Sequence, residues 1–235
     1  MIQNKIATLD WTGIANALHT KGYCIVPKLL SPKQCKALIA LYEQPSLFRK
    51  QVIMEQHRFG KGAYKYFDYP LPETVADLRT TLYPKLSGIA NGWMKALKIA
   101  KVYPDSLWEL QQKCAENGQN KPTPLLLKYE KGGFNTLHQD IYGTVYFPMQ
   151  ALFLLTEPET DFTGGEFVIT QQIPRAQSKA IVLQPKKGDM IVFATNYRPI
   201  KGTRGYYRAK MRHGVSEVHS GKRRALGIIF HDAAS

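Results

Sequence analysis

Acidic residues, cysteine and long apolar runs are all scarce in this chain, and each scarcity excludes something. No window approaches the roughly 18 apolar residues of a membrane span, so no membrane partner is expected. The three cysteines, Cys24, Cys35 and Cys114, are far apart and odd in number. They form neither a disulfide framework nor a zinc-type C-x-x-C pattern, and they suit a reducing cytoplasm. The segment Met1 to Gly13 has no apolar core of the kind a secretory signal needs, which again leads to a cytoplasmic expectation. Internal repeats and low-complexity stretches are missing too, so one domain over 1–235 is the default. Asp and Glu number 18 against 32 Lys and Arg, a net charge of +14. A surplus of that sign favours polyanions as partners, nucleic acid first. Against these scarcities stands a hydrophobic content of 44% with 11% aromatics, which excludes a disordered chain and is enough for a sizeable core.

The chain changes character near residue 123. Before it the apolar spacing is mostly helical. Asp10 to His19 reads as a short helix, and Ser31-Pro32 is an N-cap and N1 pair for a helix to about Tyr42. Residues 73–99 read as one or two helices, and Asp105 can cap another that holds Leu107 and Cys114. Tyr23–Val26 is a short extended piece. After Thr123 come short β-runs separated by turn residues: Leu125–Tyr129, Thr144–Phe147, Ala151–Leu155, Glu166–Thr170, Ile181–Leu183, Met190–Phe193 and Ala225–Phe230. Many short strands suggest a sandwich or small barrel. The fold class expected is α+β, with 1–122 a mainly helical support packed on one outer face of a β core at 123–235.

The chemistry centres on Leu137-His138-Gln139-Asp140. A His and an Asp two apart at a strand end point to the same side and can offer a nitrogen and a carboxylate oxygen to one metal. A second His from a distant strand would complete a two-His-one-carboxylate facial triad, which leaves positions open on a non-haem Fe(II) centre. Order and spacing strengthen the reading. Tyr129 precedes the pair across Gly132-Gly133. Gly164-Gly165-Glu166-Phe167 follows it, then Gly188-Asp189-Met190, then His213-Gly214-Val215 and Gly221-Lys222-Arg223.

This ordered series resembles the 2-oxoglutarate/Fe(II)-dependent dioxygenase superfamily over about residues 123–232. The resemblance implies a double-stranded β-helix, a cupin-like jelly roll. It makes His138, Asp140 and His213 the iron ligands, with 2-oxoglutarate and O2 as cosubstrates. Arg223 would hold the distal carboxylate of 2-oxoglutarate, a bidentate task that suits a planar guanidinium. His219 could replace His213, but it lies too close to Arg223 for both roles to come from successive strands. His231, past the last strand, is expected to face solvent or a carboxylate. Arg224 is the rival of Arg223. Strand alternation favours Arg223, which shares a face with the small Ala225 and Gly227. Tyr129 is expected in the same cavity, donating to 2-oxoglutarate, with a core tyrosine as the alternative. Gln150 could reach the cosubstrate or be a polar residue of an edge strand.

Within the superfamily two comparisons pull apart. Tyr129, His138-Gln139-Asp140 and His213-Gly214-Val215 look like the AlkB-type nucleic-acid dealkylases, but Leu127 stands where those enzymes have Asn. The interval from His213 to Arg223 is instead similar to prolyl-hydroxylase-like members. Longer runs look like a bacterial family of oxygenases labelled as acting on damaged nucleic acid: Arg58 to Phe67, Pro122 to Tyr129, Asp161 to Phe167, Arg212 to Ser216 and Leu226 to Ala233. Residues 198–212 form a basic loop whose Arg198, Lys201, Arg204, Tyr206, Tyr207 and Arg208 could take phosphates and bases beside the third ligand. A second aromatic and basic run, His57 to Tyr69, reads as an opposite wall or as a strand pair. The function expected is hydroxylation or oxidative demethylation, with damaged nucleic acid as the possible substrate. The alternatives are a protein side-chain hydroxylase and a non-catalytic cupin-like binding module.

Overall fold

In the computed structural model, which describes residues 2–235, helix positions follow local capping chemistry. The elements in chain order are α1 (Ile2–Ala7), α2 (Trp11–Lys21), β1 (Tyr23–Val26), α3 (Pro32–Leu41), β2 (Phe48–Ile53), β3 (Gly60–Lys61), β4 (Ala63–Phe67), α4 (Glu73–Ala96) and α5 (Leu107–Glu116). Then come β5 (Leu125–Glu130), β6 (Phe134–His138), β7 (Met149–Leu154), β8 (Phe162–Gly164), β9 (Phe167–Gln172), β10 (Lys179–Leu183), β11 (Met190–Ala194), β12 (Tyr197–Gly202), β13 (Gly205–Val215) and β14 (Val218–Ile228). Ser31 caps α3 in a reciprocal box with Gln34, and Pro32 takes the first helical position, where its missing N–H costs nothing. The cap of α5 is Ser106, not the expected Asp105, because Ser106 and Glu109 close the same reciprocal box. Residues 73–96 are one helix, with Pro84 inside it.

The strands form two antiparallel sheets. The larger runs β1-β11-β7-β14-β5-β4-β2, with β8 also on β14; the smaller runs β10-β9-β13-β6-β3, with β12 on β13. The fold class is α+β with a jelly-roll core. The helices cover the outer face of the larger sheet: Arg224, which points that way, sets its guanidinium 4.9 Å from the centre of the Tyr42 ring at the end of α3. Buried Tyr83 of α4 lies against Phe147 and Phe230.

Three segments differ from the sequence expectation. Residues 48–67 carry strands where helical support is expected, and β3 and β4 fall within the run from His57 to Tyr69 that reads as a strand pair. β2 and β4 pair with each other, and β4 pairs with β5, so this hairpin widens the larger sheet. Thr144–Phe147 is no strand, because the Gln119 side chain binds Val145 on both sides: its Oε1 accepts from the Val145 N–H and its Nε2 donates to the Val145 carbonyl. The basic stretch 198–212 is not a loop but the hairpin β12–β13, in register from Tyr197↔Lys210 to Gly202↔Gly205.

Candidate active site

Adjacent strands of the smaller sheet deliver two of the three expected ligands. β13 pairs with β6 so that His213 stands directly across from His138. Along β13, Ala209, Met211 and His213 are buried while Arg208, Lys210 and Arg212 are exposed, so the period of two turns His213 inward. Gly214 lets the strands approach: a Cβ there would lie 2.5 Å from the Asn135 carbonyl oxygen. Asp140 follows β6, its backbone N–H donating to Thr195 Oγ1.

The three side chains converge. One donor atom from each of His138, Asp140 and His213 lies within 4.8 Å of the others. His138 Nε2 is 3.6 Å from Asp140 Oδ1, and His213 Nε2 is 3.3 Å from Asp140 Oδ2. His138 Nδ1 sits 2.7 Å from the Thr136 carbonyl oxygen. A carbonyl only accepts, so Nδ1 carries the proton and Nε2 keeps its lone pair for a metal. Gln150 Nε2 donates to Asp140 Oδ2 at 2.9 Å and stands 3.0 Å from His213 Nε2. Tyr142, which sequence reasoning missed, donates to Asp140 Oδ1 at 2.5 Å and accepts from Tyr66 at 3.0 Å. Burial alone would push the Asp140 carboxyl up. The neighbouring His138 and the bonds from His213 and Tyr142 overcome this and hold it well below the ordinary carboxylate range. Burial, then the proximity of His138, push His213 down, which favours the neutral, ligating imidazole.

Arg223 and Tyr129 meet deeper in the same cavity. They are register partners on β14 and β5, and the guanidinium carbon lies 5.6 Å from the centre of the Tyr129 ring. Arg223 Nε donates to the Gly165 carbonyl at 2.8 Å. Its Nη1 and Nη2 are buried and find no partner among the described residues. Burial lowers its pKa to about 10. Gly165 has φ +63°, and a Cβ there would lie 2.9 Å from Arg223 Cδ, so glycine serves both the turn and the arginine. The Tyr129 hydroxyl accepts from Asn135 Nδ2 at 3.3 Å, a contact the sequence did not suggest. Burial drives the Tyr129 phenol upward, so it is a neutral donor. The cavity has a volume of about 190 Å³ and is lined by the three ligand side chains, Gln150, Tyr142, Arg223, Tyr129 and Asn135 together with apolar side chains such as Phe167 and Phe193.

Two expectations need correcting. Arg198 is buried at 6% exposure and is committed to structure. Its Nε and Nη2 donate to Gln171 Oε1 and its Nη1 to the His19 carbonyl, so it offers nothing to a phosphate. His231 does not face solvent or a carboxylate. It is buried, its Nδ1 accepts from the Phe147 N–H, and burial lowers its pKa to about 3. Lys201, Arg204, Tyr206 and Arg208 are exposed and Tyr207 half-exposed, but none of them lines the cavity. Tyr206 is seven residues along β13 from His213, roughly 23 Å at the rise of a strand. In the structure these side chains therefore stand away from the cavity lining.

Solved structures with the same fold include a Pseudomonas putida prolyl-4-hydroxylase, at TM-score 0.56 and 14% identity over 94% of this chain and 98% of that one. An oxidoreductase of the 2OG-Fe(II) oxygenase family from Burkholderia pseudomallei matches at TM-score 0.56 and 14% identity, covering 97% and 94%. At such identity the likeness concerns the fold. In sequence, the chain is 41% identical over 191 residues to an uncharacterized protein of Mycobacterium tuberculosis, covering 79% of this chain and 82% of the relative. Residues 62–233 match the family model described as "oxygenase, catalysing oxidative methylation of damaged DNA". That span takes in the whole His138, Asp140, His213 and Arg223 constellation, and the chain belongs to this oxygenase family.

Proposed function

We propose that the protein is an Fe(II)- and 2-oxoglutarate-dependent dioxygenase acting on a methylated base in nucleic acid. The carrying observation is the Arg223 fork: two buried Nη groups, without a partner among the described residues, in the cavity that also holds the three ligand atoms. A buried cation with a vacant planar fork fits a carboxylate, and two imidazoles with one carboxylate fit iron(II). When bound, iron with 2-oxoglutarate and O2 supplies hydroxylation of a C–H bond, 2-oxoglutarate leaving as succinate and CO2; on an N-methyl carbon this ends in loss of formaldehyde.

The chain's own residues hold this chemistry in place. Thr136 fixes the tautomer of His138. Tyr142 and Gln150 fix the Asp140 carboxylate from its two sides. His213 Nε2 would be the ligand atom for iron, and Gln150 would stay on Asp140 Oδ2, to which its amide already donates. Arg223 and the neutral Tyr129 bind the cosubstrate, and the apolar walls keep bulk water from the site. The description of the family model and the net charge of +14 support nucleic acid as substrate, and the protein-hydroxylase reading rests only on the His213–Arg223 interval. The test is succinate release with iron(II), 2-oxoglutarate and an oligonucleotide carrying an N-methylated base. Turnover should rise with the methylated strand and vanish in Asp140→Ala. Stimulation by a peptide instead of the oligonucleotide would reverse the substrate assignment.

A further inference from the structure

The cavity has a defined mouth. Of its lining residues only Phe59 and Thr136 are exposed, Phe59 at 46%. They are tied together: the Thr136 N–H and Oγ1 both donate to the Phe59 carbonyl at 2.9 Å. The Phe59 ring stacks on His57 with centroids 5.3 Å apart. Just outside lies a second groove, and Phe59, Tyr64, Tyr66 and Tyr142 line both it and the cavity. Arg49 and Lys50 bring cationic charge to the lining of that groove, with His57 beside them.

Arg49 is held for binding. Its Nε donates to the Pro122 carbonyl at 2.8 Å, and its guanidinium carbon sits 4.7 Å from the centre of the Tyr66 ring. Neither contact uses the two terminal NH2 groups. Arg58 and Lys61 add exposed charge at the rim. The nearby acids are engaged: Glu55 accepts from the Gly62 N–H, Asp68 from the Tyr69 N–H, and Asp232 from Arg79 and the Tyr69 hydroxyl, while Ser235 also lines the groove.

We infer that the groove beside Tyr66 is the phosphodiester seat of the substrate strand, with Arg49 and Lys50 on the phosphates and Phe59 as the stacking edge over which the target base enters the metal cavity. The inference rests on the nucleic-acid reading above and moves the contact away from the β12–β13 hairpin. Its physical basis is adjacency. A base and its own phosphate are bound within one nucleotide, and here a stacking ring, a cationic wall and the ligand cavity share one aromatic partition. A phosphate seat needs charge and fixed donors, and an unpaired base needs an aromatic face.

The test is anisotropy of a labelled single-stranded DNA dodecamer across a salt series, with the intact chain. Arg49→Gln with Lys50→Gln should reduce the slope of log affinity against log salt by about 0.7 for each phosphate deprived of its cation. Phe59→Ala should weaken binding roughly 5- to 150-fold. Because Arg49 also packs on Tyr66, Lys50→Glu alone is the second variant. Lys50 is fully outside the core, and its reversal should weaken binding with an unchanged melting temperature. Arg204→Gln with Arg208→Gln should leave the slope within error of wild type. Wild-type slope and affinity in the Arg49 and Lys50 variants, with weakened binding in the hairpin variants, would overturn this inference and leave the proposed function intact. No binding by the wild type at low salt, with 2-oxoglutarate turnover present, would overturn both.

Discussion

Replacing Arg223 by Met should make the ligand-free protein more stable and, at the same time, remove its response to 2-oxoglutarate. In the folded chain Arg223 carries a charge at 1% exposure, and among the described residues only its Nε finds a partner. Burial takes its pKa down to about 10, more than two units below the ordinary guanidinium value. At about 1.4 kcal/mol for each pH unit, that corresponds to about 3 kcal/mol against the charged form. Met keeps most of the side-chain volume without the charge. It strands the Gly165 carbonyl, at a cost of about 1 kcal/mol, and gives up the packing on the Tyr129 ring. The net is about 1–2 kcal/mol in favour of the variant, which for a chain of this size raises Tm by roughly 2–8 °C. With Mn(II) in place of iron to prevent turnover, 2-oxoglutarate at 100 times Kd stabilises the wild type by about 2.7 kcal/mol, or roughly 5–10 °C, and the variant by nothing. Thermal unfolding of both proteins with and without ligand gives all four numbers. A ligand-free variant melting below wild type would refute the reasoning about the buried charge. An undiminished 2-oxoglutarate shift in the variant would refute the assignment of Arg223.

Asp232→Ala should cost about 3–5 kcal/mol in urea unfolding, because it leaves the Arg79 guanidinium buried without its 2.6 Å partner. His231 should make the protein acid-sensitive. Its folded pKa of about 3 lies below the ordinary value of 6.5, so the unfolded chain takes up the proton first. Stability is then complete above 6.5 and falls by about 1.4 kcal/mol per pH unit down to about 3; His231→Gln should remove that slope from the pH series. Tyr142→Phe should lower Co(II) affinity about 10- to 100-fold, read by titration of the metal's absorption bands, since it frees one oxygen of Asp140. An unchanged affinity would mean that Gln150 alone orients the carboxylate.

The deep part of the site is largely legible in the sequence, and its rim is not. Inside a sheet, alternation is strict, so Ala225 and Gly227 beside Arg223 mark the cavity face, and Arg224 does lie over Tyr42 on the other side. The capping signal at Ser31 is legible because it depends on three neighbouring residues only. Tyr142 is invisible in the sequence because its contact depends on how the loop after Asp140 bends. Arg198 is misread there because counting cations along a chain does not say which face each one takes; the strand buries this guanidinium on Gln171 while it leaves Lys201 exposed. The hairpin at 48–67 stays ambiguous because its pairing with β5 is a long-range event and its exposed Lys50 and Lys61 obscure the apolar side.

The two ends of β13 differ in how they are supported. Lys210 to Val215 has β9 along one edge, whereas Gly205 to Ala209 pairs with β12 alone. Two strands without a third are marginal in water. The outer part of the hairpin is therefore expected to open at a lower free energy than its root, where Ala209, Met211 and Arg198 are buried. Amide hydrogens near Tyr207 should exchange with solvent orders of magnitude sooner than those of residues 211–215. Exchange in that order would make the outer arm a movable carrier of its cations Lys201 and Arg204, mounted on a root that keeps Arg208 over the Tyr197 ring.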